Sequence, residues 1–74
     1  MFSKAVFAEN LKKARLRLGL SRDEFAKKAG LSFSQLYRYE NEIQIPGSDK
    51  VLAICEITGQ TPNELLGWDQ EGRE

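Results

Sequence analysis

The chain has 74 residues, 41% of them hydrophobic, and eleven basic against eleven acidic side chains, so its formal net charge is zero. That length makes one domain with a small core, stabilised by close helix packing or by self-association. A single cysteine, Cys55, and no histidine exclude an internal disulfide, a cysteine-based metal cluster, a histidine-dependent zinc site and Ser-His or Cys-His nucleophile pairs.

No cofactor or metal is expected. No apolar run is long enough to span a membrane, and Lys4, Glu9, Lys12 and Lys13 interrupt any apolar leader, so a reduced, cytoplasmic setting is expected. The zero net charge is unevenly placed. Residues 1–40 hold nine Lys and Arg against four Asp and Glu, or +5, and residues 41–74 hold two against seven, or −5. Such a split suits a basic face toward phosphate and an acidic face away from it, although an ordinary solvated surface fits the charges equally well.

The first helix is expected over 4–18, with Ser3 as N-cap and Phe7, Leu11, Ala14 and Leu18 as one apolar stripe. Gly19 ends it. Phe2 and Val6 lie off the stripe, positioned to meet the C-terminus or a partner. Helix two is expected over 22–29, opened by the capping box Ser21-x-x-Glu24, with Phe25, Ala26 and Ala29 inward. Gly30 stands where that helix must stop, since a left-handed residue there is nearly free only for glycine. A second capping box, Ser32-x-x-Gln35, opens helix three over 33–41, with Leu36, Tyr39 and the stem of Glu40 inward. Two short helices joined by such a tight turn are the organisation of a helix-turn-helix, whose second helix enters the DNA major groove.

Ile43 and Ile45 continue into a loop closed by Pro46. Helix four is expected over 49–58, capped by Ser48 or Asp49 and stopped by Gly59. Its Val51, Leu52, Ile54, Cys55 and Ile57 cover more than one face, which suggests a central position. Helix five takes Thr61 as N-cap, Pro62 at N1 and Glu64 at N3, with Leu65 and Leu66 as anchors and Gly67 as its stop. Residues 1–68 therefore read as a single all-α, five-helix domain, and 69–74 as a frayed polar tail.

The outer face of helix three carries the candidate chemistry. At about 100° per residue, Phe33, Tyr37 and Asn41 form one row and Ser34 and Arg38 the next, opposite Leu36 and Tyr39. Arg38 can present a fork to guanine, and Ser34 can bond a base or a phosphate. Phe33 can pack on a thymine methyl, and Tyr37 can do the same or hold phosphate. Each has a plainer alternative: Arg38 as a surface arginine, Phe33 and Tyr37 as core or partner contacts. The starts of helices two and three, at Ser21, Arg22 and Ser32, present backbone N–H groups to phosphate.

Read together, Leu11-Lys-Lys-Ala-Arg15, Gly19-Leu-Ser21, Phe25-Ala26, Gly30-Leu-Ser32, Leu36, Glu40-Asn41, Pro46 and the Thr61…Glu64-Leu-Leu66 ending resemble the Cro/C1-type (XRE) helix-turn-helix repressors. The likeness runs without gaps over about residues 7–66. It implies a compact lambda-repressor-like fold and a sequence-specific, double-stranded-DNA-binding transcription regulator. It also implies an Arg15–Glu40 ion pair that positions helix three, an Arg22 touching phosphate where relatives carry glutamine, and an Asn41 bonding the backbone after helix three. Family dimers associate through the helix-five region, so Pro62, Asn63, Glu64 and Trp68 become candidates for a homodimer interface; Trp68 serves equally well as a cover for the core edge. Such a dimer would read a palindrome and act by occupying an operator and blocking polymerase, or by touching polymerase with its acidic face.

Three positions depart from the pattern. Glu42 replaces the usual glycine, so either Asn41 adopts the left-handed cap or Glu42 bears strain of about 1 kcal/mol. The loop Glu42-Ile-Gln-Ile45 is acidic and apolar where relatives often hold phosphate with Lys or Arg, which implies weak phosphate anchoring. Thr58 and Gln60 replace apolar positions near helix five. The near-neutral charge and that loop also fit a second reading, a protein-binding module on the same fold, such as an antitoxin or adaptor. Asp23, Glu24, Ser32 and Glu40 form no nucleophile–base pair, so catalysis is not expected.

Overall fold

A computed structural model describes residues 3–67, and within them five helices and no strand. These are α1 (Lys4–Arg17), α2 (Arg22–Ala29), α3 (Phe33–Glu40), α4 (Ser48–Thr58) and α5 (Pro62–Leu66). Side-chain caps set four of the five starts. The hydroxyls of Ser3, Ser21, Ser32 and Thr61 accept from the backbone N–H three residues on. At α2, α3 and α5 the box is reciprocal, with Glu24, Gln35 and Glu64 reaching back to the cap amides at 2.9 Å. Each satisfies two backbone donors that a helix start otherwise leaves to water. The Ser21 amide, and then its hydroxyl, hold the Glu24 carboxyl below its ordinary range.

α4 departs from the expected start. Gly47, not Ser48 or Asp49, is its N-cap, and no side chain caps it. Lys50 and Val51 donate to the Gly47 carbonyl at 3.1 and 3.0 Å, so Ser48 is already inside the helix. Glycine is an accepted N-cap, and Asp49 favours the helix dipole from the first turn.

The core joins Phe7 and Leu11 of α1, Phe25, Ala26 and Ala29 of α2, Leu36 and Tyr39 of α3, Val51, Ile54 and Cys55 of α4, and Leu65 of α5, with Leu31 from the turn. Phe7 and Tyr39 meet edge to face with ring centroids 6.3 Å apart, a favoured arrangement of two aromatic quadrupoles. Burial pushes the Tyr39 hydroxyl up, and it does the same to the Cys55 thiol, with Glu64 adding to the second shift.

The expected stripe on α1 needs one correction. Leu18 caps the helix and is 44% exposed. The chain reverses at Gly19 (φ +73°), so the inward row after Leu11 continues into Ala14 and the buried Arg15 instead. Leu52 of α4 is likewise exposed, at 58%, so α4 buries one face, against α2 and α5, and leaves an apolar side chain outside. Thr58 satisfies its own hydroxyl, donating to the Ile54 carbonyl at 3.0 Å and accepting from the Gln60 amide. Val6 is half-buried and packs toward Gly67, while Asn10 joins α1 to α5 by donating to the Glu64 and Leu65 carbonyls. Phe2, Trp68 and residues 69–74 lie outside the described residues.

Candidate nucleic-acid interface

A buried carboxylate holds the helix-turn-helix together. Glu40 leaves α3 on its inward side with its side chain fully covered. Arg15 Nε donates to Glu40 Oε2 at 2.8 Å and Arg15 Nη2 to Oε1 at 3.4 Å. A third Arg15 nitrogen, Nη1, donates to the Leu20 carbonyl at 3.0 Å, so the same guanidinium secures the residue just before the α2 cap. Arg22 Nε completes the group, donating to Glu40 Oε1 at 2.9 Å. One carboxylate therefore joins α1, α2 and α3, and both of its oxygens are engaged by charge-assisted bonds.

Arg22 thus has a structural partner in addition to the phosphate role expected of it. Its side chain stays 39% exposed, and no described residue accepts from its terminal nitrogens. Ser21 and Ser32 use their hydroxyl oxygens to accept within the capping boxes, which leaves each hydroxyl proton available to an outside acceptor such as a phosphate oxygen.

α3 divides sharply between an inner and an outer face. Leu36, Tyr39 and Glu40 are buried, whereas Phe33, Ser34, Tyr37 and Arg38 are all exposed, Phe33 by 50% and Tyr37 by 46%. These four candidates form one continuous outer surface. Phe33 and Tyr37, one helical turn apart, leave two aromatic rings half in water on this face.

The end of α3 differs from the family expectation. Asn41 does not bond the backbone beyond the helix; its Nδ2 donates backward to the Tyr37 carbonyl at 2.8 Å. Glu42 takes the left-handed conformation at φ +63°, while Asn41 stays at φ −110°, which decides between the two possibilities left by the sequence. With Glu42 left-handed, Ile43 donates to the Arg38 carbonyl at 2.9 Å and Glu42 to the Tyr39 carbonyl at 3.5 Å. This is a Schellman closure built on glutamate instead of glycine. Glu42→Gly should therefore raise the unfolding free energy by about 1 kcal/mol, after allowance for glycine's extra freedom when unfolded; urea denaturation of the two proteins measures it.

Two features were not singled out in the sequence. Gln44 lies beside α3, and its Oε1 accepts from Arg38 Nε at 2.9 Å. On the α4–α5 side, Ile45, Pro46, Val51, Leu52, Pro62 and Leu66 line an apolar groove of about 470 Å³. Pro62, expected at a dimer interface, is in it; Asn63 and Glu64 are exposed nearby on α5, and Trp68 falls outside the described residues. The excess of apolar positions on α4 and in the 43–45 loop was the available signal. Among the described residues no cluster of His, Cys, Asp and Glu could hold a metal, and no helix is long and apolar enough to cross a membrane.

Comparison with known proteins agrees with this architecture. No curated protein matched the chain. Among solved structures it is similar to the SOS-response transcriptional repressor LexA from Eubacterium rectale, with TM-score 0.80, 28% identity, and 85% of this chain and 67% of that one covered. The SinR protein/SinI protein complex gives TM-score 0.80 and 25% identity over 92% of this chain and 67% of that one. The restriction-modification controller protein C.AhdI from Aeromonas hydrophila shares the fold, with TM-score 0.78, 24% identity, and 84% and 94% of the two chains covered. The family model for HTH_3, helix-turn-helix, matches residues 11–65, a span that contains the Arg15–Glu40–Arg22 group and both capping boxes of α2 and α3. The chain belongs to this XRE-type helix-turn-helix family, a family of DNA-binding domains of transcription regulators and not of enzymes.

Proposed function

We propose that the chain is a sequence-specific regulator that binds a palindromic operator as a homodimer and represses by occupying it in the cytoplasm. The observation that carries this reading is the division of α3: its inner face is fixed by Leu36, Tyr39 and the doubly paired Glu40, and its outer face presents Phe33, Ser34, Tyr37 and Arg38 to solvent. In this reading Ser34 and Arg38 contact base edges, Phe33 and Tyr37 pack on thymine methyls or sugar, and Ser21, Arg22, Ser32 and the end of α3 at Asn41 lie along phosphates. Selection from random duplexes should yield a palindrome. The Ser34→Ala, Arg38→Ala double variant should bind the selected duplex at least roughly tenfold more weakly, with its weak binding to unrelated DNA retained. Unchanged affinity in a gel shift would remove α3 as the reader.

The apolar groove beside α4 and α5 supports the homodimer. A second copy of this chain would cover Leu52 and Leu66, and a two-fold dimer reading a palindrome needs its two α3 helices about one DNA turn apart. Leu52→Glu is expected to shift the protein to a monomer in analytical ultracentrifugation with little change in its own fold, because Leu52 is 58% exposed; a dimer of unchanged strength places the interface elsewhere.

A second reading, a protein-binding module, draws on the exposed and uncharged Ile43-Gln-Ile45 stretch and on the likeness to a chain solved in a complex of two different proteins. A stoichiometric protein partner, with no duplex selected, would favour it.

A further inference from the structure

Arg38 is the one cation on the outer face of α3, and its geometry is set from outside the helix. The left-handed Glu42 reverses the chain, so that the Ile43 and Gln44 amides both donate to the Arg38 carbonyl, at 2.9 and 3.3 Å. This brings Gln44 back alongside the residue whose backbone it bonds, and its side-chain Oε1 then accepts from Arg38 Nε at 2.9 Å. No described residue accepts from the Nη1 and Nη2 groups of Arg38.

An arginine reads guanine through two parallel N–H groups that match the O6 and N7 acceptors. The guanidinium offers two such edges, Nε with Nη2 or Nη1 with Nη2. With Nε occupied by Gln44, only the terminal edge is open. We propose that Gln44 is a positioning residue: it holds Arg38 so that the Nη1/Nη2 edge alone meets a guanine, and so sets the specificity at that base pair. The proposal rests on α3 being the DNA reader. Its chemistry explains why an uncharged glutamine suits a loop where a basic residue would grip phosphate. A lysine or arginine here would supply donors only, and could not accept from Nε.

A long arginine side chain loses much rotamer freedom when it binds. An acceptor on Nε removes part of that loss beforehand, and only for the orientation that leaves the Nη1/Nη2 edge open. Removing the acceptor should thus weaken discrimination at one base pair more than it weakens binding in general. That pattern separates positioning from a phosphate contact by Gln44 itself, which would weaken every duplex alike.

The test uses the full chain, the duplex selected by the wild-type protein, and that duplex with each base pair replaced in turn. Binding is measured for wild type, Gln44→Met, Gln44→Glu, Arg38→Met and the Arg38→Met, Gln44→Met double variant, with thermal melts to confirm equal folding. Arg38→Met should abolish discrimination at one G·C pair per half-site, worth roughly tenfold or more in wild type. Gln44→Met, similar in shape but without a strong acceptor, should lose several-fold of that discrimination and leave the other positions unchanged. Gln44→Glu restores the acceptor and should restore discrimination at that pair, while lowering affinity for all duplexes through its charge. In the Arg38→Met background, Gln44→Met should add nothing. Intact discrimination in Gln44→Met, a uniform loss across sequences, or no base pair that depends on Arg38 would each overturn the proposal. A wild-type protein that selects no duplex removes the DNA-reader assignment itself and the proposal with it.

Discussion

Glu40→Ala is expected to lower the unfolding free energy by about 3–5 kcal/mol, the cost of leaving a buried charge without its partner. The Glu40 side chain is fully covered and that of Arg15 is 10% exposed, so water cannot replace the lost carboxylate at Arg15 without opening the packing of α1 on α3. Arg22, at 39% exposed, can turn outward and adds little. Set against the about 5–15 kcal/mol that holds a whole domain together, the loss is between roughly a fifth and the whole of the stability. Urea denaturation followed by circular dichroism measures it. Combining Glu40→Leu with Arg15→Met removes both charges and should recover much of the loss, since apolar replacements of buried ion pairs are often neutral or better. Equal instability in the single and double variants would show that the lone arginine is not the cause.

Gly67→Ala is the second large effect. Gly67 sits at φ +76°, where an alanine costs roughly 1–2 kcal/mol, and a Cβ there would collide with Val6 Cγ1 of α1, adding about 1–3 kcal/mol of overpacking. Gly30 provides the control. Its φ of +71° is nearly the same, and an added Cβ meets nothing within 4 Å. Gly30→Ala should therefore show the backbone cost alone. Adding Val6→Ala to Gly67→Ala should remove the collision and bring its destabilisation near that of Gly30→Ala, apart from the small loss of Val6's own half-buried packing. If the two glycine variants are equally destabilised from the outset, α1 moves aside to accommodate the methyl.

The helix-turn-helix was legible because its signals are local. Ser21 with Glu24 and Ser32 with Gln35 close their hydrogen bonds within one helical turn, so spacing in the sequence is sufficient. Apolar periodicity did less well where the chain turns: it carried the α1 stripe on to Leu18, but the helix had already ended, and Arg15 held the inward place. It also read Leu52 as core, because apolar character alone does not distinguish a buried face from a groove. The Glu40–Arg22 and Arg38–Gln44 bonds were invisible, since each depends on where a turn places two side chains that share no helical row. The turn after α3 could be posed as a choice between Asn41 and Glu42 and required the structure to decide it.

The division of labour inside α3 has a consequence for how such a domain changes over time. Leu36, Tyr39 and Glu40 hold the helix in place, and Phe33, Ser34, Tyr37 and Arg38 lie outside the core. Exposed positions of this kind tolerate substitution at small cost in stability. On the proposed reading, descendants of this chain change their target sequence through those four positions, with Gln44 following Arg38, while the scaffold that aims them stays unaltered.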